Sequence, residues 1–144
     1  MMVGVVACPS CGRKNRVPPF AAGTPRCATC HAALPWLIEA TEATFKQAAA
    51  TPLTVLVDLW APWCGPCRMV GPALERAARE LAGRLKVIKV NADEAPGIAT
   101  RFDVRAIPAL LVLRDGRLVA RHVGALPADE LLSWVRAACS APAA

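Results

Sequence analysis

The 144-residue chain lacks an apolar stretch long enough to cross a membrane. A membrane-spanning helix needs roughly 18 or more consecutive apolar residues, and Asp58 interrupts the best candidate. Residues 5–8 superficially resemble a lipoprotein cleavage site, but the residues before them include no basic side chain and only a short apolar run. A secretory signal needs a charged start and a longer apolar segment. We therefore expect a cytoplasmic protein without a membrane segment.

Cysteine, in contrast, is abundant, with seven residues arranged as three C-x-x-C pairs and a remainder. The pairs are Cys8/Cys11, Cys27/Cys30 and Cys64/Cys67, and the remainder is Cys139. A disulfide scaffold suits small secreted chains, whereas 55% of these residues are hydrophobic and can build a core. Four metal ligands and two redox thiols account for six of the seven cysteines. We expect Cys139 to be a partly buried helix residue, with an intermolecular disulfide as the alternative.

The first two pairs are separated by 15 residues, which matches the spacing of a four-cysteine zinc ribbon. The four predicted ligands of one structural zinc ion are Cys8, Cys11, Cys27 and Cys30, with Gly12 allowing a tight turn. Zinc would supply folding energy to so small a module, and its release after thiolate oxidation is the alternative role. Two other interpretations are disfavoured. Residues 27–31 fit the haem-attachment pattern C-x-x-C-H, but only one such pattern exists and it would leave Cys8 and Cys11 unexplained. His31 could replace Cys30 as a ligand, but the regular spacing of the pairs favours cysteine.

Acidic residues are absent before Glu39, whereas four basic residues lie there, namely Arg13, Lys14, Arg16 and Arg26. A basic segment can bind nucleic acid. These residues are few, however, and they would offset the negative charge of four zinc-bound thiolates. We therefore do not expect nucleic acid as a partner. The chain also lacks a glycine-rich dinucleotide fingerprint, so we expect it to bind no flavin or nicotinamide.

The sequence pattern changes near residues 34–36. Residues 1–35 contain both outer cysteine pairs, a turn-rich connection at 17–25 and little helical periodicity, which predicts two knuckles joined by a loop. Strand and helix signals then alternate. We therefore expect a zinc ribbon at 1–35 and a second domain at 36–144.

The second domain is predicted to have the element order β-α-β-α-β-α-β-β-α. The predicted strands are 36–40, 53–60, 85–91, 110–114 and 117–123, the last two joined by a hairpin at Asp115-Gly116. The predicted helices are 42–50, capped by Thr41, 66–81, bent at Pro72, 94–102 and 128–139, opened by Pro127. This order predicts an α/β fold with a mixed sheet flanked by helices on both faces.

The third cysteine pair lies between a predicted buried strand and a predicted helix, in the string Trp63-Cys64-Gly65-Pro66-Cys67. Partial positive charge and unpaired N–H groups at a helix start favour a thiolate over a thiol. Cys64 should therefore have a lowered pKa and be nucleophilic near neutral pH, while Cys67 lies one turn inward and should be shielded. This is the chemistry of thiol–disulfide exchange.

Residues 57–69, the later Ile107-Pro108 and the element order closely resemble thioredoxin over roughly the last three quarters of the chain. Joined to a zinc ribbon, this domain resembles the bacterial thioredoxin 2 group. The resemblance implies a protein-disulfide reductase in which Cys64 attacks the substrate disulfide and Cys67 resolves the mixed disulfide. It also implies that an NADPH-dependent thioredoxin reductase restores the dithiol, and Gly65-Pro66 implies a reducing couple. We expect a monomer acting on disulfide-containing proteins.

The same resemblance assigns roles to further residues. Asp58 is expected to accept the Cys67 proton, accompanied by Lys89 on the adjacent strand, because burial raises a carboxyl pKa. The alternative is a satisfied buried Asp58 and an edge-strand Lys89. Pro108 is expected to follow a cis bond and to face the disulfide.

The substrate-binding surface implied by the resemblance comprises Trp63, Gly65, Pro66, Ala106, Ile107 and Gly124, with Pro62 and Ala125 nearby. Trp60 could be a core residue or part of this surface. Ala109 follows Pro108 where most thioredoxins have threonine, a departure that could adjust substrate preference.

Two other function classes are disfavoured. In a binding module, the ribbon would dock protein or nucleic acid on an inactive scaffold, but Cys64-Gly65-Pro66-Cys67, Asp58 and Pro108 are all intact. An isomerase or oxidase of an oxidising compartment is disfavoured by Gly65-Pro66 and by the missing signal.

Overall fold

The computed structural model describes residues 4–20 and 23–140. Residues 1–3, and 21 and 22 of the turn-rich connection, lie outside the described residues. The strands are β1 (Val5–Ala7), β2 (Lys14–Arg16), β3 (Leu37–Ala40), β4 (Thr54–Trp60), β5 (Leu85–Asn91), β6 (Ala109–Arg114) and β7 (Arg117–Val123). The helices are α1 (Phe45–Ala49), α2 (Gly65–Glu80), α3 (Pro96–Arg101) and α4 (Ala128–Ser140). Within the described ranges no helix has the length and apolar character needed to span a membrane.

Five strands form one mixed sheet in the order β3-β5-β4-β6-β7. Strand β5 pairs in parallel with β3 and β4, whereas β6 is antiparallel to both β4 and β7. Buried parallel strands read as continuous apolar runs because both of their faces are covered. The predicted α/β fold, with a mixed sheet and flanking helices, is confirmed.

Alternate residues of β4 point to two hydrophobic clusters on opposite faces of the sheet. Leu56 packs in a cluster with buried residues of α2 and α4, including Leu74 and Leu131. Val57 packs in the other cluster with Phe45 of α1 and buried residues near α3. The sheet is therefore covered on both sides, and the carboxyl end of β4 leads directly to the cysteine pair of α2.

The N-terminal segment contains a β-hairpin, in which Val5 pairs with Arg16 and Ala7 with Lys14. The prediction of knuckles and a loop alone was therefore incomplete, because strands of three residues leave no periodic signal in the sequence. Buried residues of this segment, including Val17 and Leu34, join the same hydrophobic cluster as Phe45 and Val57. The boundary at residues 35 and 36 stays a prediction.

Two buried side chains connect the sheet to the residues that follow β2. The indole Nε1 of Trp36 donates to the carbonyl oxygen of Pro18 at 3.1 Å. The Lys86 ammonium donates to the carbonyl oxygens of Pro19 and Ala48, each at 2.7 Å, and lies 4.0 Å from the centroid of the Trp36 ring. Burial of Lys86 lowers its pKa to about 8. Carbonyl and ring contacts thus hold a buried ammonium at this junction.

Two predicted helices begin later than expected. The first starts after Thr44, not Thr41, because the side chains and backbones of these two threonines bond to each other in a turn. Residues 92–94 form a separate 3₁₀ turn before α3. Helix α2 continues through Pro72, and the bend expected there stays a prediction.

Candidate functional site

The cysteine pair lies at the junction between β4 and α2. Cys64 has extended backbone angles and is the N-cap of α2, and Pro66 occupies the first turn, where its missing N–H needs no partner. Cys64 and Cys67 form a disulfide with their Cα atoms 5.3 Å apart. The backbone N–H of Cys67 donates to the Cys64 sulfur at 3.2 Å. The Cys64 sulfur therefore lies where helix N–H groups would stabilise a thiolate.

Both sulfur-bearing residues are buried in this oxidised form. Cys64 is 4% exposed and Cys67 is 6% exposed, so Cys67 is shielded as predicted and Cys64 is buried as well. The physical reason is that the disulfide holds both residues in one small cluster with Ala61, against which Trp60 and Ile107 pack. Trp60 is half-buried and its indole nitrogen has no partner among the described residues.

Asp58 is a carboxyl group buried within β4. It is 1% exposed, and its Oδ1 atom has no hydrogen-bond partner among the described residues. Burial raises the pKa of Asp58 to about 6, against the opposing effect of the Lys89 charge. This direction follows because desolvation disfavours the charged form. A carboxyl with this pKa can gain or lose a proton near neutral pH.

Lys89 lies directly opposite Asp58 in the parallel pairing of β4 and β5. Its strand is between β3 and β4, so the alternative of an edge-strand lysine is wrong. The side chain is half-buried, and its ammonium lies 5.4 Å from the centroid of the Trp60 ring. The structure thus brings the two predicted ionisable residues together on one face of the sheet.

The peptide bond between Ile107 and Pro108 is cis, as the resemblance implied. Ile107 packs against the disulfide cluster, and the Pro108 carbonyl accepts a hydrogen bond of 2.8 Å from the Gly124 N–H. Gly124 has a φ of 106°, in the left-handed region that favours glycine. Ala106 is exposed. Ala109 is fully buried in the core, so its side chain is not on the surface that a substrate would touch.

Trp63, the first residue of the pentapeptide, is 70% exposed. Its indole N–H donates to Oδ2 of Asp93 at 2.9 Å. Oδ1 of Asn91 in turn accepts a hydrogen bond of 3.0 Å from the backbone N–H of Asp93. The sequence did not identify Asp93 as part of the site. It is one acidic residue in the turn after β5, 30 positions from Trp63, and no local pattern links the two. The Gly65 and Pro66 residues beside Trp63 are exposed.

The four N-terminal cysteines form a cluster that could hold a metal ion. The sulfurs of Cys8, Cys11, Cys27 and Cys30 all lie within 4.8 Å of one another. The pairs Cys8/Cys30 and Cys11/Cys27 are each separated by 3.5 Å. A tetrahedral ion with metal–sulfur bonds of ~2.3 Å places its sulfurs about 3.8 Å apart. The spacing and the all-thiol donor set therefore fit a structural zinc ion.

Hydrogen bonds to two of the four sulfurs, those of Cys8 and Cys27, favour the thiolate form that metal binding needs. The backbone N–H groups of Ser10 and Thr29 each donate at 3.4 Å, to Cys8 and Cys27 respectively. Asn15, whose side chain is buried, adds a contact of 3.5 Å to Cys27. Backbone N–H groups, that of Cys30 foremost, lower the pKa of Cys27 to about 6.

The two cysteine knuckles have the same backbone hydrogen bonds. In the first, the Gly12 N–H donates to the Cys8 carbonyl, and in the second the His31 N–H donates to the Cys27 carbonyl. Gly12 and His31 both have positive φ, of 81° and 64°. His31 therefore occupies the turn position that glycine fills in the first knuckle, and the ligand cluster comprises the four cysteines without it.

Comparison with known proteins gives one consistent result. A thioredoxin family model matches residues 24–137. Thioredoxin 1 of Synechococcus elongatus is 48% identical over 92 residues, which are 63% of this chain and 86% of that protein. The thioredoxin of Haemophilus influenzae is 45% identical over 83 residues, 58% of this chain and 78% of its own. With a disulfide at the start of α2 and a thioredoxin fold around it, the chain belongs to the thioredoxin family of disulfide reductases.

Proposed function

We propose that Cys64 and Cys67 carry the disulfide reductase activity of this chain toward other proteins, and that an NADPH-dependent thioredoxin reductase restores their dithiol. The observation that carries the proposal is the Cys64–Cys67 disulfide at the N-terminus of α2. Ile107, the residue before the cis-proline, packs against that same disulfide. Nicotinamide and flavin would belong to the reductase, and this chain would supply only the two thiols.

In the first step, the Cys64 thiolate attacks one sulfur of the substrate disulfide. A mixed disulfide forms on Cys64, and the other substrate sulfur leaves as a thiolate. The N–H of Cys67, which lies 3.2 Å from the Cys64 sulfur, would stabilise the attacking thiolate. Helix geometry thus makes Cys64 the nucleophile of the pair.

In the second step, Cys67 loses its proton to Asp58 and attacks the Cys64 sulfur. The Cys64–Cys67 disulfide forms, and the second substrate sulfur leaves as a thiolate. Asp58 suits this role because its pKa of about 6 lets it be ionised at neutral pH and still bind a proton. Lys89, paired with it across the sheet, limits that pKa rise.

The substrate would lie across the exposed surface around the disulfide. Its proposed contacts are Trp63, Gly65, Pro66, Ala106, Ile107 and Gly124, with Pro108 facing the disulfide. Backbone groups at Ala106 and Ile107 would pair with an extended substrate segment, in the manner of a strand added to a sheet edge. Trp63 would supply an apolar contact held in place by Asp93.

The N-terminal cluster would bind one structural zinc ion, which relates the chain more closely to the zinc-ribbon thioredoxin 2 group. We place the ribbon at residues 1–35 and the redox domain at 36–144. Bound zinc would form four metal–sulfur bonds and so link sulfurs that otherwise contact each other in two pairs. We propose that the protein is cytoplasmic, since a thioredoxin reductase and a reducing glutathione pool operate there. We also propose that it is a monomer.

The reductase proposal is tested by insulin reduction with NADPH and thioredoxin reductase. The Cys64→Ser variant should lose the activity down to the rate without protein, because the nucleophile is gone. Cys139→Ser is the matched control, since Cys139 is a half-buried thiol of α4 away from the pair in sequence, and it should keep the wild-type rate. Equal rates for Cys64→Ser and the wild type would contradict the mechanism.

The zinc proposal is tested by elemental analysis of the purified protein. One zinc per chain is expected for the wild type and for the Cys64→Ser variant. Replacing Cys8 and Cys27 with serine should remove it, because both are buried members of the cluster. Zinc that persists in this double variant would show that the ion is held elsewhere.

A further inference from the structure

Three ionisable side chains lie in a straight row across the sheet. Glu39 of β3 is paired with Lys89 of β5, and Lys89 is paired with Asp58 of β4. Residues directly opposite each other on neighbouring strands point to the same face. The row continues through Leu110 of β6 to His122 of β7. A carboxylate, an ammonium and a second carboxylate therefore follow one another at successive strands.

Exposure decreases along this row toward the redox site. Glu39 is exposed, Lys89 is half-buried and Asp58 is 1% exposed. Glu39 and Lys89 both line a cavity of about 530 Å³ between β1, β3 and α2. Lys89 thus borders this cavity beside Glu39, and it pairs on its other side with the buried Asp58.

Few other charges face this row. Helix α2 contributes Glu75 and Arg79 to the same cavity. Strand β6 contributes only the apolar Leu110, and His122 lies one strand further, with its ring 6.0 Å from that of Trp134 in α4. The Lys89 charge opposes the rise in the Asp58 pKa that burial causes, and Glu39 is opposite Lys89 on the neighbouring strand β3.

We propose that Glu39 is a positioning residue for the second step of the reaction, acting by sharing the Lys89 ammonium with Asp58. The Glu39 carboxylate attracts the ammonium toward the cavity, and its own negative charge disfavours a second anion in the row. Both effects make Asp58 bind its proton more tightly. A stronger base at Asp58 accepts the Cys67 proton more readily. This inference rests on the proposed role of Asp58.

The expected effect can be sized from the geometry of the sheet. Two strand spacings of ~4.8 Å place Glu39 about 10 Å from Asp58. At an effective dielectric constant between about 80 and 20, one charge at this distance changes a proton-binding midpoint by roughly 0.3 to 1.2 pH units. Glu39→Gln should therefore lower the midpoint of Asp58 by an amount in this range.

The first test is a carbon-13 NMR titration of the Asp58 carboxyl in the oxidised protein, with Asp58→Asn identifying the signal. The matched control is Glu75→Gln, which removes a carboxylate that lines the same cavity from α2 but is outside the row. We expect Glu39→Gln to lower the midpoint and Glu75→Gln to move it by less than half as much. An unchanged midpoint in Glu39→Gln, or equal shifts in both variants, would overturn the proposal.

The second test separates the two reaction steps in rapid mixing of the reduced protein with a disulfide substrate. Glu39→Gln should slow resolution of the mixed disulfide roughly two- to four-fold, as expected for a weaker general base, and leave the first attack unchanged. A lowered midpoint without slower resolution would refute the positioning role. Because the NMR titration uses no substrate, its failure is distinguishable from a failure of insulin reduction.

Discussion

Replacement of Asp58 by asparagine should stabilise the protein at alkaline pH. The carboxyl group is 1% exposed and its pKa is raised from 3.8 to about 6 by burial. Asp58 therefore binds its proton more tightly in the folded protein than in the unfolded chain. A difference of about two pKa units corresponds to a free energy of about 3 kcal/mol.

The sign of the pH dependence follows from proton binding. Between about pH 4 and pH 6 the folded state binds more protons at Asp58 than the unfolded state does, so stability is lost as the pH rises through this window. Above it, the wild type holds a buried charge in the folded state. Asparagine has a similar shape and no charge, so the variant avoids this loss.

The measurement is urea unfolding of the oxidised wild type and Asp58→Asn at pH 4 and pH 8. The variant should be more stable by up to about 3 kcal/mol at pH 8, and the difference should largely disappear at pH 4. Asp115→Asn is the control, because Asp115 is an exposed aspartate in the β6–β7 turn. A difference that is the same at both pH values, or is absent at pH 8, would refute a buried, desolvated Asp58.

Three further changes test other parts of the structure. Lys86→Met should lose stability relative to the wild type as the pH rises from 8 to 10. The reason is that the lowered pKa of Lys86, about 8, makes the wild type gain stability in that window. A difference in unfolding free energy between variant and wild type that is the same at both pH values would argue against a buried ammonium. His31→Gly should keep one zinc per chain, since His31 fills a positive-φ turn position and not a ligand position; loss of zinc would restore the histidine-ligand alternative. Asp93→Ala should raise the KM for insulin about two- to five-fold at nearly unchanged kcat, because one hydrogen bond holding Trp63 is removed. An unchanged KM would refute the role of Asp93 in positioning Trp63 for substrate binding.

The sheet was predictable because its buried strands are continuous apolar runs of β-favouring residues. The run that ends at Trp60 and the run around Val87 each form a strand of seven residues. The turn at Asp115 and Gly116 joins β6 to β7 as expected. Helix α2 was predicted within one residue at each end, and its predicted start at Pro66 lies in the first turn, where proline is favoured.

Other features depend on contacts between distant parts of the chain, which no local pattern contains. Lys86 reads as a polar residue in a strand, yet its partners are carbonyl oxygens of Pro19 and Ala48. The strands β1 and β2 have three residues each and lie beside a cluster of four cysteines. Asp93 reaches Trp63 only because β5 ends beside the start of α2. Such contacts decide the site, but their residues lie too far apart in sequence to be paired by spacing.

The central claim is that Cys64 is the attacking thiol and Cys67 the resolving thiol. The most direct measurement is mass spectrometry of the pre-reduced Cys67→Ser variant after incubation with insulin, under non-reducing conditions. The account predicts an insulin chain attached to Cys64, which persists because the resolving thiol is missing. Absence of an adduct, or an adduct on Cys139 or on a cysteine of the N-terminal cluster with Cys64 unmodified, would contradict it.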